Sequence, residues 1–499
     1  MSGIKKFIEK LDMVPEGKEL SLRQKITLVL WGLTVFFLPY LYVPYFIFQK
    51  LSLYPLVLIA IINIDKWWKL CWNNKFLRYT AFGIAAFIIW QIISLPFNLG
   101  LSNINFADHI KPSINEAITL VAWYIFLAAA FMFPKEKIEK TFYWCITTVF
   151  ICCCAYSVIE ILHFAKVQWA TDFLGKSIHY LIKGVGEYFN WHPPVFWDSP
   201  RLRSVFSEPS NFAVLSTFTL LYYGCYFWLS TGWKKMSGNI LLMILSFLAL
   251  CGTQSASGTL ALSTATLFFV ILFAVFFRKF NKLKKIKGIV FSFLLIVFTF
   301  IIALNQRGGI SDWKLLFDKA TDGVQKQVVS EKKQVVPEKK QIVSGKKQIK
   351  FSSSSNTRLI HLKAEIKLIA RKPVCGYGEY GNVMRQSLWE SPEKTREVLL
   401  WCKNEDFSPP TLNKYTGIIV KYGIVGLLFF FAIFFPAIIL LYQAVNSISP
   451  EKWIYPLILC IAIATILATC PINVLFYSIL LTLPLRLYSI DDSAERKNQ

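Results

Sequence analysis

The sequence predicts an all-α polytopic integral membrane protein. Of its 499 residues, 55% are hydrophobic and 17% are charged, and the mean hydropathy is +0.47. This is more apolar sequence than a soluble globular protein carries. Its apolar runs approach the ~17 to 25 residues that a helix needs to cross a bilayer, and we expect about 12 transmembrane helices.

The predicted spans alternate with basic gaps. They cover residues 25–44, 51–64, 79–96, 115–133, 141–163, 208–230, 237–252, 258–277, 288–304, 422–445, 453–469 and 472–489. Lysine and arginine are concentrated in gaps 65–78, 134–140, 231–236 and 278–287, and the short gaps between these hold few. Because short cytoplasmic loops carry such an excess, we expect both termini in the cytoplasm.

This topology divides the chain into five segments. Residues 1–24 form a cytoplasmic amphipathic leader, 25–304 the first nine spans with an outer loop at 164–207, 305–421 a large periplasmic loop, 422–489 the last three spans, and 490–499 a cytoplasmic tail. For the leader, a frayed tail is the alternative to a helix on the membrane surface.

The large loop contains a lysine-rich heptad repeat at 326–350. Pro337 and Gly345 interrupt the repeat and its apolar residues are paired, which makes a poor coiled coil. We expect a flexible insertion that the chemistry does not need; an electrostatic contact with an acidic glycan is the alternative. Two helices should follow, an amphipathic one at 356–371 on the outer leaflet and another at 391–404.

The charged and metal-ligating residues exclude several functions. The net charge is +24, but the lysines lie between apolar runs, where topology signals and anionic lipid headgroups account for them better than nucleic acid does. The five histidines are scattered and the 11 cysteines show no metal-site spacing, so we expect no metal. Cys375 and Cys402, both in the large loop, are the one plausible disulfide pair.

Charged residues before the sixth span are the strongest functional candidates. Arg201, Arg203 and Glu208 precede an apolar helix, where charge is costly and is usually retained for a purpose. With Arg358 from the large loop, these arginines would suit a phosphate-bearing lipid, because guanidinium groups bind phosphate oxygens bidentately. Arginines that merely anchor span ends in the headgroups are the alternative.

Four motifs resemble those of the O-antigen polymerase and O-antigen ligase superfamily of bacterial envelopes. They are RLRSVFSEPSNFA from Arg201, TQSASGTLAL from Thr253, RLIHLKAEIKLIARKPVCGYGEYGN from Arg358 and LNKYTGIIVKYGIVG from Leu412. Their order and the large loop near the C-terminal end also resemble this superfamily. The resemblance implies the fold of the lipid-carrier-dependent, integral-membrane glycosyltransferase class.

The resemblance also implies glycosyl transfer on the outer face of the bacterial inner membrane. The donor would be an undecaprenyl-diphosphate-linked oligosaccharide, and no nucleotide sugar, cofactor or metal would be needed. Arg201 and Arg358 match the two family arginines, which would stabilise the diphosphate leaving group. Arg203 would share the phosphate.

The remaining candidates have less definite roles. Glu208 would cap the next helix, orient Arg201 or act as a base. Capping or orienting is favoured over the role of a base, because a carboxylate at a helix N-terminus suits the helix dipole without any catalysis. Further sugar-binding candidates are Tyr377, Glu379 and Asn413. Tyr415 is expected to pack at the interface.

Leu412 favours a polymerase over a ligase. The ligase branch has a histidine immediately before the Asn of its last motif, suited to act as a base toward the accepting sugar, and leucine cannot take a proton. His361, one turn from Arg358, is the candidate that could replace this base.

A transporter (flippase) of the same lipid-linked glycan is the alternative from another functional class, although the sequence lacks repeated halves. Membrane lipid and a chain-length regulator are further expected partners; nucleic acid is not.

Overall fold

Helices make up nearly all of the described chain. The computed structural model describes residues 20–39, 51–94, 96–97, 106–181, 195–196, 199–206, 209–305, 354–392, 394–403, 409–445, 451–469 and 474–488. The repeat, Glu208, the predicted cytoplasmic tail 490–499 and most of the leader lie outside these residues.

Among the described residues, eleven helices precede the large loop. They are α1 (Leu22–Phe36), α2 (Leu53–Ile62), α3 (Trp67–Asn73), α4 (Lys75–Ser94), α5 (Phe106–Ala130), α6 (Lys135–Phe164), α7 (Gln168–Leu181), α8 (Pro209–Leu229), α9 (Trp233–Thr253), α10 (Ala256–Phe276) and α11 (Lys282–Asn305). Three helices of the loop region and three final helices follow: α12 (Ser354–Arg371), α13 (Gly381–Trp389), α14 (Arg396–Lys403), α15 (Lys414–Val445), α16 (Glu451–Leu467) and α17 (Val474–Tyr488).

Each of the predicted apolar runs overlaps one of these helices. Among the described residues, 8 helices are long and apolar enough to cross a membrane. The other predicted runs hold the shorter helices α1, α2, α16 and α17, of 15, 10, 17 and 15 residues. The all-α polytopic class is therefore confirmed, because a backbone in lipid must satisfy its own hydrogen bonds and these runs do so as helices.

Helix α8 lies at the centre of the membrane-embedded part. Nearly all of its residues are buried, and it packs against α6, α9, α10, α11 and α16. The segment that leads into it carries the arginine motif. A two-residue antiparallel pair, β1 (Val195–Phe196) with β2 (Ser199–Pro200), directly precedes this motif, and the sequence did not predict it.

The described part of the large loop has a small core of its own. Helices α12, α13 and α14 pack together, and we call residues 354–403 the loop domain. Its core contains Ile360, Leu368, Met384, Leu388 and Trp401. Both expected helices are present, as α12 and α14, whereas α13 was not predicted because Gly376, Gly378 and Gly381 indicated a turn.

The predicted disulfide is wrong. Cys375 and Cys402 are both free thiols. Cys402 lies on α14 and its thiol faces the Arg385 carbonyl, with an Sγ–O distance of 3.8 Å. Cys375 lies instead in the turn that follows α12. The two cysteines therefore lie on different elements of the loop domain.

Candidate functional site

The turn from Thr253 to Ser257, between α9 and α10, receives the Arg201 side chain. Arg201 Nε donates to the Thr253 carbonyl at 2.9 Å and Nη2 donates to the Gln254 carbonyl at 2.8 Å. The next residue, Leu202, donates its amide to the Gly252 carbonyl at 2.8 Å. The last carbonyls of a helix lack partners within the helix and carry partial negative charge. The end of α9 therefore binds the backbone of Leu202 and the guanidinium group of Arg201.

Arg358 reaches the same turn from the other side. Its Nη1 donates to Ser257 Oγ at 3.3 Å and to the Thr469 carbonyl, at the end of α16, at 3.1 Å. Ser257 Oγ in turn donates to the Thr469 carbonyl at 2.9 Å. Two half-buried arginines from distant segments therefore contact opposite ends of one five-residue turn.

Arg203 does not join them. Its side chain is only 4% exposed and points to Glu160 on α6, with an Nε–Oε1 distance of 3.8 Å. Burial lowers the pKa of Arg203, and the Glu160 carboxylate opposes that shift. The expectation that Arg203 shares the phosphate thus does not fit its position, because a buried acid already holds its guanidinium group.

Glu160 is a residue of this region that the sequence reasoning missed. It is 0% exposed, and its Oε2 accepts hydrogen bonds from the amides of Arg203 at 3.2 Å and Ser204 at 2.9 Å. The signal was present in the sequence, because Glu160 is the single acidic residue of the apolar run 141–163, and ionisable residues inside spans usually have a partner and a role.

Two of the predicted sugar-binding residues cap helices. Glu379 accepts the amides of Asn382 at 2.7 Å and Val383 at 3.2 Å, at the start of α13. Asn413 Oδ1 accepts the amides of the second and third residues of α15, at 2.9 and 3.3 Å. These oxygens therefore satisfy helix N-termini.

The two tyrosines differ in their surroundings. The Tyr377 ring is half-buried beneath the Lys372 ammonium group, 4.9 Å from the ring centroid, and burial raises the pKa of Tyr377. The Tyr415 hydroxyl donates to the Ala464 carbonyl at 3.1 Å, a packing contact between α15 and α16.

His361 lies inside the loop domain. It is 1% exposed, and its Nε2 is 2.9 Å from the Pro410 carbonyl and 3.2 Å from the Tyr380 hydroxyl. The same hydroxyl donates to Glu365 at 2.6 Å, and the other oxygen of Glu365 accepts from Thr416 at 2.7 Å. This network joins α12 to the start of α15, and its position does not present the imidazole to a sugar.

A pair of glycines fixes the loop domain against α15. Gly376 and Gly423 have φ values of 66° and 70°, in the region that favours glycine. The Gly378 amide donates to the Lys421 carbonyl at 2.7 Å, so the turn after α12 pairs with the α15 backbone at its kink. A Cβ atom on Gly423 would lie 1.8 Å from the Val374 carbonyl oxygen.

Replacing Gly423 with alanine should therefore destabilise the protein. The left-handed backbone and the clash together should cost at least about 2 kcal/mol, which a fluorescence thermal melt in detergent would register as a lower Tm. Gly238→Ala is the matched control, because a Cβ at Gly238 in α9 meets no atom within 4 Å. Equal Tm values for the two variants would contradict the role of the glycine contact.

One comparison with known proteins matches the part of the chain that contains most of this site. Residues 241–431 match the family model described as O-antigen ligase, a stretch that includes the turn 253–257, Arg358 and both glycines. No curated protein matches the chain. Among the described residues, no group of three or more His, Cys, Asp or Glu side chains could hold a metal ion.

Proposed function

We propose that the protein is a polysaccharide polymerase of the O-antigen ligase and polymerase superfamily. The match of residues 241–431 to the O-antigen ligase family model supports this assignment. The protein transfers a glycan from an undecaprenyl-diphosphate-linked donor to a lipid-linked acceptor on the outer face of the inner membrane. Arg201 and Arg358 bind the donor diphosphate. The observation that supports this most is that both guanidinium groups reach the turn 253–257.

Glycosyl transfer from this donor requires positive charge beside the leaving diphosphate. An acceptor hydroxyl oxygen attacks the anomeric carbon of the donor sugar, and the carbon–oxygen bond to the diphosphate breaks with its electron pair on the leaving oxygen. The hydroxyl proton passes to the departing diphosphate or to solvent. Arginines held in place by backbone carbonyls stabilise this developing charge without reorganisation, the role that a metal ion has in other transferases.

Helix α12 supports a site at a lipid surface. Leu359, Leu362 and Ile366 are 50%, 37% and 55% exposed and lie on one face of the helix, because residues three and four apart share a face. This stripe begins beside Arg358. An apolar face with an adjacent cation is suited to the boundary between acyl chains and headgroups, where the diphosphate of a polyprenyl lipid would also lie.

A ligase is the second candidate, and the matched family model is described as an O-antigen ligase. The polymerase is favoured because Leu412 stands at the position of the ligase histidine and packs against the core of the loop domain. His361 is buried and hydrogen-bonded, which does not suit it to replace that base.

Arg201→Ala and Arg358→Ala should each abolish long polysaccharide while the protein still inserts in the membrane. Loss of a charge-assisted bidentate contact in a transition state should lower the polymerisation rate by about a hundredfold or more. Gel analysis of the polysaccharide and a membrane immunoblot measure the two outcomes. Lys363→Ala, an exposed cation of α12, is the control. Polymer of normal length from either arginine variant would remove the diphosphate-binding role.

Mass analysis of lipid-linked oligosaccharides in a deletion strain should separate polymerase from ligase. A polymerase consumes single repeat units, so these units should accumulate on the carrier when the protein is missing. Accumulation of finished polymer on the carrier would instead identify a ligase. The wild-type gene returned on a plasmid should restore the normal pattern.

Purified protein should extend lipid-linked repeat units in the presence of excess chelator. The arginines already supply the positive charge at the leaving group, so the chain-extension rate should change less than about twofold. A rate that falls to background with the chelator and returns when Mg²⁺ or Mn²⁺ is added back would contradict a metal-independent reaction.

A further inference from the structure

We propose that Glu160 is a positioning residue that sets the place of Arg201, an inference that rests on the proposed function. Glu160 lies near the end of the long apolar helix α6, and Arg201 lies in the segment 201–206, between strand β2 and helix α8. Glu160 acts through the backbone amides of Arg203 and Ser204.

The carboxylate holds the segment by its main chain. Oε2 of Glu160 accepts the amides of two consecutive residues, Arg203 and Ser204. Ser204 has a φ of 56°, a conformation that residues other than glycine adopt only when their surroundings impose it. Its hydroxyl donates to the Cys153 carbonyl of α6 at 2.7 Å. The segment is therefore bent to fit one side of α6.

The other side of the segment faces α9. Arg201 and Leu202 donate to the carbonyls that end α9, so the chain changes partner from α9 to α6 between residues 202 and 203. A segment held at both places has little freedom to rotate, and the direction of the Arg201 guanidinium depends on both. Removing Glu160 leaves two buried amides without their acceptor.

The ion pair adds to this arrangement. Arg203 and Glu160 are 4% and 0% exposed, and a buried charge requires a partner. Since Arg203 faces α6, it pulls the segment toward α6 and leaves Arg201 as the arginine directed at the turn 253–257. The two arginines of the motif thus have different roles. Arg203 anchors the segment to α6, and Arg201 faces the proposed diphosphate.

The test compares Glu160→Ala with Glu139→Ala, which removes an acid from the other end of the same helix. Hydrogen exchange read by mass spectrometry on peptides that contain residues 201–206 should show lost protection only in Glu160→Ala. Affinity for undecaprenyl diphosphate in detergent micelles should fall about tenfold in Glu160→Ala, and Arg201→Ala/Glu160→Ala should bind no more weakly than Arg201→Ala alone, because both changes remove the same contact.

Unchanged exchange in Glu160→Ala, or additive losses of affinity in the double variant, overturns the proposal. If Glu160→Ala does not fold, Glu160→Gln/Arg203→Met replaces it. A glutamine oxygen can still accept both amides, and methionine removes the buried cation together with the ion pair. This variant should therefore lose only the smaller contribution of the pair, keep most of the wild-type protection and bind more tightly than Arg201→Ala. Loss of protection together with an affinity as low as that of Arg201→Ala refutes the role of the amide contacts. Wild-type affinity in Arg201→Ala refutes the proposed function instead, while the exchange data still report on Glu160.

Discussion

The carbonyl end of helix α9 is the constraint on which the arrangement of the site depends. A helix that ends inside a membrane protein exposes carbonyl oxygens that lipid cannot satisfy. Here Arg201 supplies the donors, and the following residue adds a backbone hydrogen bond. Because α10 begins a few residues later, the same turn also offers Ser257 to Arg358. One unsatisfied helix end thus brings together cations from two distant segments.

Ion pairs with a buried acid join segments that are distant in sequence. Glu160 of α6 pairs with Arg203, and Glu116 of α5 pairs with Lys414 at the start of α15. Each pair links an acid inside a long apolar helix to a base from a distant segment. Such pairs contribute little net stability, since desolvation offsets the attraction, but they select one register for the chains they join. The buried network around Glu365 does the same for α12.

The apolar runs predicted the membrane helices well, because composition alone decides whether a segment spans a bilayer. The sequence analysis selected Arg201 and Arg358, and the structure brings both side chains to the turn 253–257. The Ser/Thr-rich motif at Thr253 did not predict these contacts. What the sequence could not supply was the pairing of side chains. Arg203 is two residues from Arg201 and has the same chemistry, and only the approach of α6 separates their roles.

Helix caps and backbone turns were the other features that the sequence did not reveal. Glu379 and Asn413 were assigned to sugar because acidic and amide side chains bind hydroxyl groups, yet the same oxygens serve as helix caps. The glycines after α12 predicted a turn correctly, but their partner, the kink of α15 at Gly423, lies at the start of the predicted span 422–445, and its pairing with the turn was not predicted. Local sequence does not reveal which backbone groups lack partners.

The most direct test of the account is an electron cryo-microscopy structure with undecaprenyl diphosphate bound. The account predicts phosphate oxygens within about 3.5 Å of both the Arg201 and the Arg358 guanidinium groups, beside the turn 253–257. Density for the diphosphate at one arginine alone, or at a different part of the protein, would contradict it.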